Sequence, residues 1–344
     1  MNIRIELLKA LDTGLPVFGL ALLIVLPGFT GPYVVHLLTL ALTFGIFALA
    51  YDILLGHTGI VSFGHSIFYG MPAYVIGMMG SSVLHITNPF VLLSAALVTG
   101  VLLGAAVGWI CTYSRGIYLA IVTFAVAQIV ALIILSDPGG LTFGDNGIVG
   151  VRPPALTFAG LQLNLFSGVG LYYLTLAFLV AVYLGIRLLA RSQWGQVFHA
   201  IRENEDRLPS LGYNPRPYKV LAFALSGGVS GIAGSMAAFL NNTISPEMVN
   251  WQVSAEILLI TVLGGAGTHS GPVLGAFAVV LTEAVASSLL GGGNWVYVLG
   301  GLYIAVAMFP SGGIMAMLSR LMVVFQRGWT RVAVLRAGGA KVDT

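Results

Sequence analysis

The 344-residue chain is 58% hydrophobic and only 8% charged, against roughly 25% charged in an ordinary soluble domain. With a mean hydropathy of +0.96, it carries more apolar surface than one water-soluble core can hide, so a bilayer is its natural solvent. The net charge of +3 comes from basic residues at the ends of apolar runs, a topogenic pattern that argues against nucleic-acid binding.

A bilayer crossing takes about 20 mostly apolar residues. By that measure the sequence predicts an all-α polytopic membrane protein with about ten transmembrane helices. The first five candidates are 14–30, 33–55, 58–80, 89–113 and 117–136. The first reads as an uncleaved span, since no small-residue cleavage site follows it. A polar stretch, 137–166, then interrupts. The sixth span is 168–190, and a charged loop, 191–219, follows it. The remaining spans are 220–240, 253–268, 271–290 and 294–312; the eighth is short, ends in glycines, and could instead be re-entrant.

Short basic loops stay cytoplasmic. Arg4 and Lys9, Arg115, the basic residues of 191–219, and the tail from Arg320 onward all fall on one side if there are ten spans. Both termini are then cytoplasmic and 137–166 is an outer loop. Residues 1–320 read as a single transmembrane domain and 321–344 as a basic cytoplasmic tail.

Small residues recur every fourth position at Gly100, Gly104 and Gly108, at Gly227 and Gly231, and at Gly271 and Gly275. That spacing lets two helix backbones approach closely, either for tight packing or as a sliding surface. Two glycine-rich breaks, 56–64 and 264–272, hint at an internal repeat, and paired interrupted spans point to a transport site.

Absences bound the chemistry. Cys111 is the single cysteine, which excludes a disulfide within the chain and a cysteine-based metal cluster. None of the three lysines follows a phosphate-cradling glycine loop, and no His-Glu-x-x-His or Gly-x-Ser-x-Gly motif occurs. No catalytic residue and no metal site is expected. The ionisable residues at membrane depth are few: Asp52, which reaches toward the cytoplasmic interface, Glu256, Glu283 as glue between helices, and His65. On a continuous helix Ser62, His65 and Ser66 would share one face, which could line a polar path or bond neighbouring backbone. Thr261, Gly264 and Gly265, at the second break, complete the residues assigned to a substrate path.

Residues 191–219 hold nearly a third of the chain's charges. Their core interleaves apolar Ile201, Leu208 and Leu211 with Arg202, Glu203, Glu205, Asp206 and Arg207. A short helix with an apolar edge, capped by Gly212, would suit a groove in a soluble partner.

At this loop, AIRENEDRLPSLGYNPRPYK (200–219), the sequence resembles the LivM-type permease subunits of branched-chain amino acid ABC importers. GHTGIVSFGHSIFYGMPAY at 56–74, RGIYLAIVTFAVAQI at 115–129, LGGAGTHSGPVLGAF at 263–277 and the Gly144–Gly147 element agree in collinear order. The resemblance implies a transport subunit of the bacterial inner membrane with no ATPase and no bound cofactor of its own. ATP and Mg would sit on two cytoplasmic ATP-binding subunits, alongside a second related permease and a soluble periplasmic or extracellular binding protein. It implies that 200–212 forms a coupling helix through Ala200, Arg202, Glu203, Asn204, Glu205, Asp206, Leu211 and Gly212. Pro209 stands where the family more often has alanine, so that helix starts after it or bends there. Ala266, His269 and Ser270 also depart from the family pattern, and its relatives include carriers of urea, short amides and aromatic acids. An ion-driven carrier acting alone would want more ionisable groups at the bilayer midplane, and a membrane enzyme would want a catalytic cluster.

Overall fold

A computed structural model describes residues 17–80, 86, 88–151, 156–158, 161–163, 168–291, 295–308 and 312–317. Arg4, Lys9 and the basic tail at 321–344 lie outside the described residues. Among the described residues the fold is helical, with two short β-pairs.

In chain order the helices are α1 (Val17–Gly28), α2 (Pro32–Asp52), α3 (Ser66–Gly80), α4 (Pro89–Cys111), α5 (Ile117–Ser136) and α6 (Val169–Arg191). There follow α7 (Gln193–Asn204), α8 (Pro215–Asn241), α9 (Trp251–Gly264), α10 (Gly271–Leu290) and α11 (Trp295–Met308). Starts follow local chemistry: Pro32, Pro89 and Pro215 occupy first-turn positions where a missing N–H costs nothing, and Asn88 and Asn214 cap α4 and α8 with their side chains.

Six helical segments among the described residues are long and apolar enough to cross a membrane: Pro32–His57, α4, α5, α6, α8 and α10. Helix α9 has 14 residues, about 21 Å at ~1.5 Å per residue, short of the ~30 Å hydrocarbon thickness. The third expected span is also shorter than 58–80, because α3 begins only at Ser66. Residues 59–64 are not helical; Ile60, Ser62 and Gly64 are buried in the protein, while Gly59 is exposed and Val61 and Phe63 are half-buried.

Helices α2 and α8 form the centre. Fully buried Phe47, Tyr51, Phe68, Tyr74, Tyr172 and Phe223 fill the space between them and α3 and α6. The glycine spacing is used for close packing. A Cβ at Gly227 would strike the Gly100 carbonyl, one at Gly104 the Phe223 carbonyl, and one at Gly275 the Ile260 carbonyl. Helices α4 with α8 and α9 with α10 therefore meet backbone to backbone.

One end of the molecule carries β1 (Ile148–Val149) paired antiparallel with β4 (Thr243–Ile244). The separate hairpin β2 (Leu156–Phe158) and β3 (Leu161–Leu163) follows β1. At the opposite end α7 gathers the break between α2 and α3, the α4–α5 turn and the α9–α10 turn.

Candidate coupling site at the helix breaks

Ser192 starts α7 by accepting the Gly195 amide on its hydroxyl at 3.3 Å. Val197, Phe198 and Ile201 form its buried face. The helix then stops earlier than a 200–212 helix requires. Asn204 swings to φ −165° and its carboxamide accepts the Asp206 amide at 3.1 Å. Two 3-10 turns follow, Glu205–Arg207 and Pro209–Leu211, because Pro209 has no N–H to continue the ladder. Gly212 closes the segment in the left-handed region at φ +83°, in the capping position its sequence suggested. Residues 200–212 are thus the last turn of α7 plus two tight turns, and the helix lies upstream of Pro209.

Ala200 packs beside the small cluster of Val197, Ile201 and Leu208. Glu203, Asn204, Asp206 and Gly212 are exposed. So are the large apolar side chains of Leu211 (71%) and Trp194 (51%), on a segment otherwise dense in charge. Large apolar groups held in water beside charges suit a surface that a partner covers.

Three sets of contacts tie this segment inward. Glu205 Oε2 accepts from Lys219 Nζ of α8 at 2.6 Å, and Lys219 is only 2% exposed. Arg115, in the α4–α5 turn, pairs with Asp206 and lies 3.4 Å from Glu205. The exposed Arg115 pairs contribute little. Glu205 is partly exposed and keeps Arg115 as a second partner, but removing Glu205 leaves the buried Lys219 ammonium unpaired, at a cost of about 3–5 kcal/mol. Arg202, finally, donates to the Gly56 carbonyl at the first break.

Four residues before Gly56, the buried Asp52 accepts the Gly267 amide on Oδ1 at 2.8 Å. Its other oxygen lies 3.6 Å from His57 Nδ1. Asp52 therefore turns inward to the second break rather than reaching for an interface. The breaks touch directly as well, since a Cβ on Gly267 would lie 3.1 Å from the Gly56 carbonyl. The end of α2, the α9–α10 turn and α7 form one hydrogen-bonded junction.

The six residues assigned to a substrate path lie inside the helix packing. Ser62 and His65 precede α3, so they and Ser66 do not share a helix face. Ser62 takes the Gly64 amide on its hydroxyl at 3.3 Å and the Tyr51 hydroxyl on its carbonyl at 3.1 Å. His65 Nε2 meets Ser226 at 3.2 Å and Ser230 at 3.0 Å, within a box of Phe47, Tyr51 and Phe68 rings. Ser66 donates its hydroxyl to the Val249 carbonyl and its amide to Ser254, both at 2.8 Å. Thr261 bonds back to the Ile257 carbonyl at 2.7 Å. Gly264 lets α9 approach α10, and Gly265 turns the chain at φ +117°. Glu256 and Glu283 face one another and Tyr303 through space, and neither has a hydrogen bond or ion pair among the described residues.

The sequence reading gave no site role to Lys219, Ser226 or Ser230. The two serines stand i and i+4 on α8, one face of one helix, and a lysine at the start of an apolar run was the signal for a buried ion pair.

No solved structure matches the chain. It is 29% identical to the high-affinity branched-chain amino acid transport system permease protein LivM of Escherichia coli K12, over 82% of this chain and 70% of that protein. The LivM protein of Salmonella typhimurium is 27% identical over the same shares of the two chains. The autoinducer 2 import system permease protein LsrC of Salmonella typhi is 32% identical over 35% of this chain and 34% of its own length. Residues 33–308, from the start of α2 to the end of α11, match the model of the branched-chain amino acid transport system / permease component family, and the chain belongs to that family.

Proposed function

We propose that this chain is the membrane-spanning permease subunit of an ATP-driven importer for branched-chain and other hydrophobic amino acids. It crosses a bacterial inner membrane about ten times with both termini cytoplasmic, and places 191–219 on the ATP side and 137–166 outside. Residues 1–320 act as one domain with 321–344 as a tail. The chain performs no chemistry itself. Two cytoplasmic subunits hold ATP and Mg, a second related permease completes the path, and a soluble binding protein delivers cargo.

The observation that carries this reading is the double link at the breaks. Arg202 leaves the α7 segment to hold the Gly56 carbonyl, and Asp52 holds the Gly267 amide. A partner that seats on Leu211, Glu203 and Trp194 and moves α7 would pull the first break through Arg202 and the second through Asp52. Such breaks are where transport helices bend. The backbone there is held by discrete hydrogen bonds, so it can exchange between two arrangements.

Reconstitution into proteoliposomes with the second permease, the ATP-binding subunits and the binding protein tests the proposal. Uptake of L-leucine should require Mg-ATP and every partner. Uptake by this chain alone, driven by an ion gradient, would refute it.

A further inference from the structure

A cavity of about 390 Å³ opens beside the first break, within the ~300–1,000 Å³ range of small-molecule sites. Four elements wall it: the break itself, the first turn of α5, the end of α7 with the turn after it, and the start of α8. Irregular backbone at membrane depth persists only where protein buries it or where it lines a cavity. Here it is held in shape from both sides. The Ser62 amide donates to the Tyr51 hydroxyl at 3.3 Å, and the Phe63 amide to the Thr123 hydroxyl at 3.1 Å. The cavity is therefore built by the fold rather than left by loose packing.

Its chemistry has two halves. Ile60, Phe63, Ala120 and Ile201 supply an apolar wall, while Lys219, Arg202 and Glu205 supply fixed charges of both signs. The buried Lys219 ammonium spends one contact on Glu205 and has three donors in all. Gly116 leaves the start of α5 without a side-chain cap at the rim. An apolar body ending in one negative and one positive group matches this lining.

We propose that the cavity binds a free aliphatic α-amino acid as its zwitterion, carboxylate toward Lys219 and Arg202, ammonium toward Glu205, side chain against Ile60, Phe63 and Ile201. This rests on the reading that the chain carries such amino acids, and makes the space between α7 and the first break an inner station for the cargo. Cargo there touches Arg202, so occupancy and the position of α7 depend on one another.

The test is equilibrium binding of radiolabelled L-leucine to the permease–ATPase complex in nanodiscs, without binding protein or ATP. Saturable binding should be competed by L-valine, and neither by isovalerate, which lacks the ammonium, nor by isoamylamine, which lacks the carboxylate. Ala120→Phe, at the cavity wall, should weaken binding at least tenfold. Ile117→Trp narrows the mouth from a position 73% exposed and should do the same without disturbing the interior. No saturable binding, equal competition by isovalerate, or wild-type affinity in both variants would overturn the site. ATP-driven uptake by the full wild-type system is measured in parallel. Uptake without this binding removes the inner site alone, whereas binding without uptake keeps the site and removes the transport reading.

Discussion

Asp52 and Gly267 stand 215 residues apart in the chain, yet Asp52 Oδ1 accepts the Gly267 amide at 2.8 Å. That bond fastens the end of α2 to the turn between α9 and α10. It also explains Gly56, where a Cβ would come within 2.6 Å of the Asp52 carboxyl carbon. Asp52→Ala leaves a buried amide unpaired and should lower unfolding stability in detergent by about 1–3 kcal/mol. Asp52→Asn keeps an acceptor in place and should stay within roughly 1 kcal/mol of wild type. Equal thermal midpoints for the Ala variant and wild type would count against the link.

Arg202 is the other half of the junction. A hydrogen bond involving a charged group contributes about 1.5–3 kcal/mol, and ~1.4 kcal/mol is a factor of ten. Arg202→Ala should therefore cut leucine uptake about tenfold or more while the subunits still assemble. Arg202→Lys, with a point charge in place of a fork, should retain part of it. The readout is leucine moved per ATP hydrolysed; an unchanged ratio in Arg202→Ala would show that Arg202 transmits nothing.

The glycines divide into two kinds with opposite predicted signs. A Cβ at Gly104 strikes the Phe223 carbonyl, so Gly104→Ala should destabilise by about 1–3 kcal/mol. Gly185, inside α6, has open space where a Cβ would stand, with nothing within 4 Å of it, and Gly185→Ala should be neutral or stabilising by up to about 1 kcal/mol. Detergent thermal unfolding of the two variants decides it; similar losses in both would refute the backbone contact between α4 and α8.

At the far end, Asp137 ends α5 in the left-handed region. Its carboxylate accepts the Thr142 amide at 2.7 Å, the Thr142 hydroxyl at 2.9 Å and the Phe143 amide at 3.1 Å. Those bonds hold its pKa below the usual carboxylate range. A depressed folded pKa contributes order that is complete above the unfolded pKa and fades as pH falls through the folded one. Hydrogen exchange should therefore find the Thr142 amide better protected in wild type than in Asp137→Asn at neutral pH, and the gap should close in acid. A gap that persists in acid would show that the charge is irrelevant.

Much of this is legible in the sequence because it is local. Charge density marks 191–219, and four-residue spacing marks the faces that bring Gly100 and Gly104 against α8. Gly212 is readable as a stop because left-handed backbone favours glycine. What cannot be read depends on distant partners. The glycines of 56–64 mark a break, but Ile60, Val61 and Phe63 keep the stretch apolar, since burial in protein and burial in lipid select the same side chains, so the span is counted from 58 although α3 starts only at Ser66. Asp52 and His65 stand out as ionisable residues at depth, but Gly267, Ser226 and Ser230 reach them only through the fold. The helix at 193–204 lies upstream of the expected 200–212 because charge density marks the solvated turns after it, whereas its own ends are set by the Ser192 cap and the Asn204 exit.

The most direct measurement of the central claim is ATP-driven L-leucine uptake by the reconstituted importer carrying Glu203→Ala with Leu211→Ala. Both side chains are exposed, so the folded yield should match wild type. Uptake should fall to background and ATP hydrolysis should no longer respond to loaded binding protein. Normal ATP-driven uptake by that variant would contradict the coupling role of this segment.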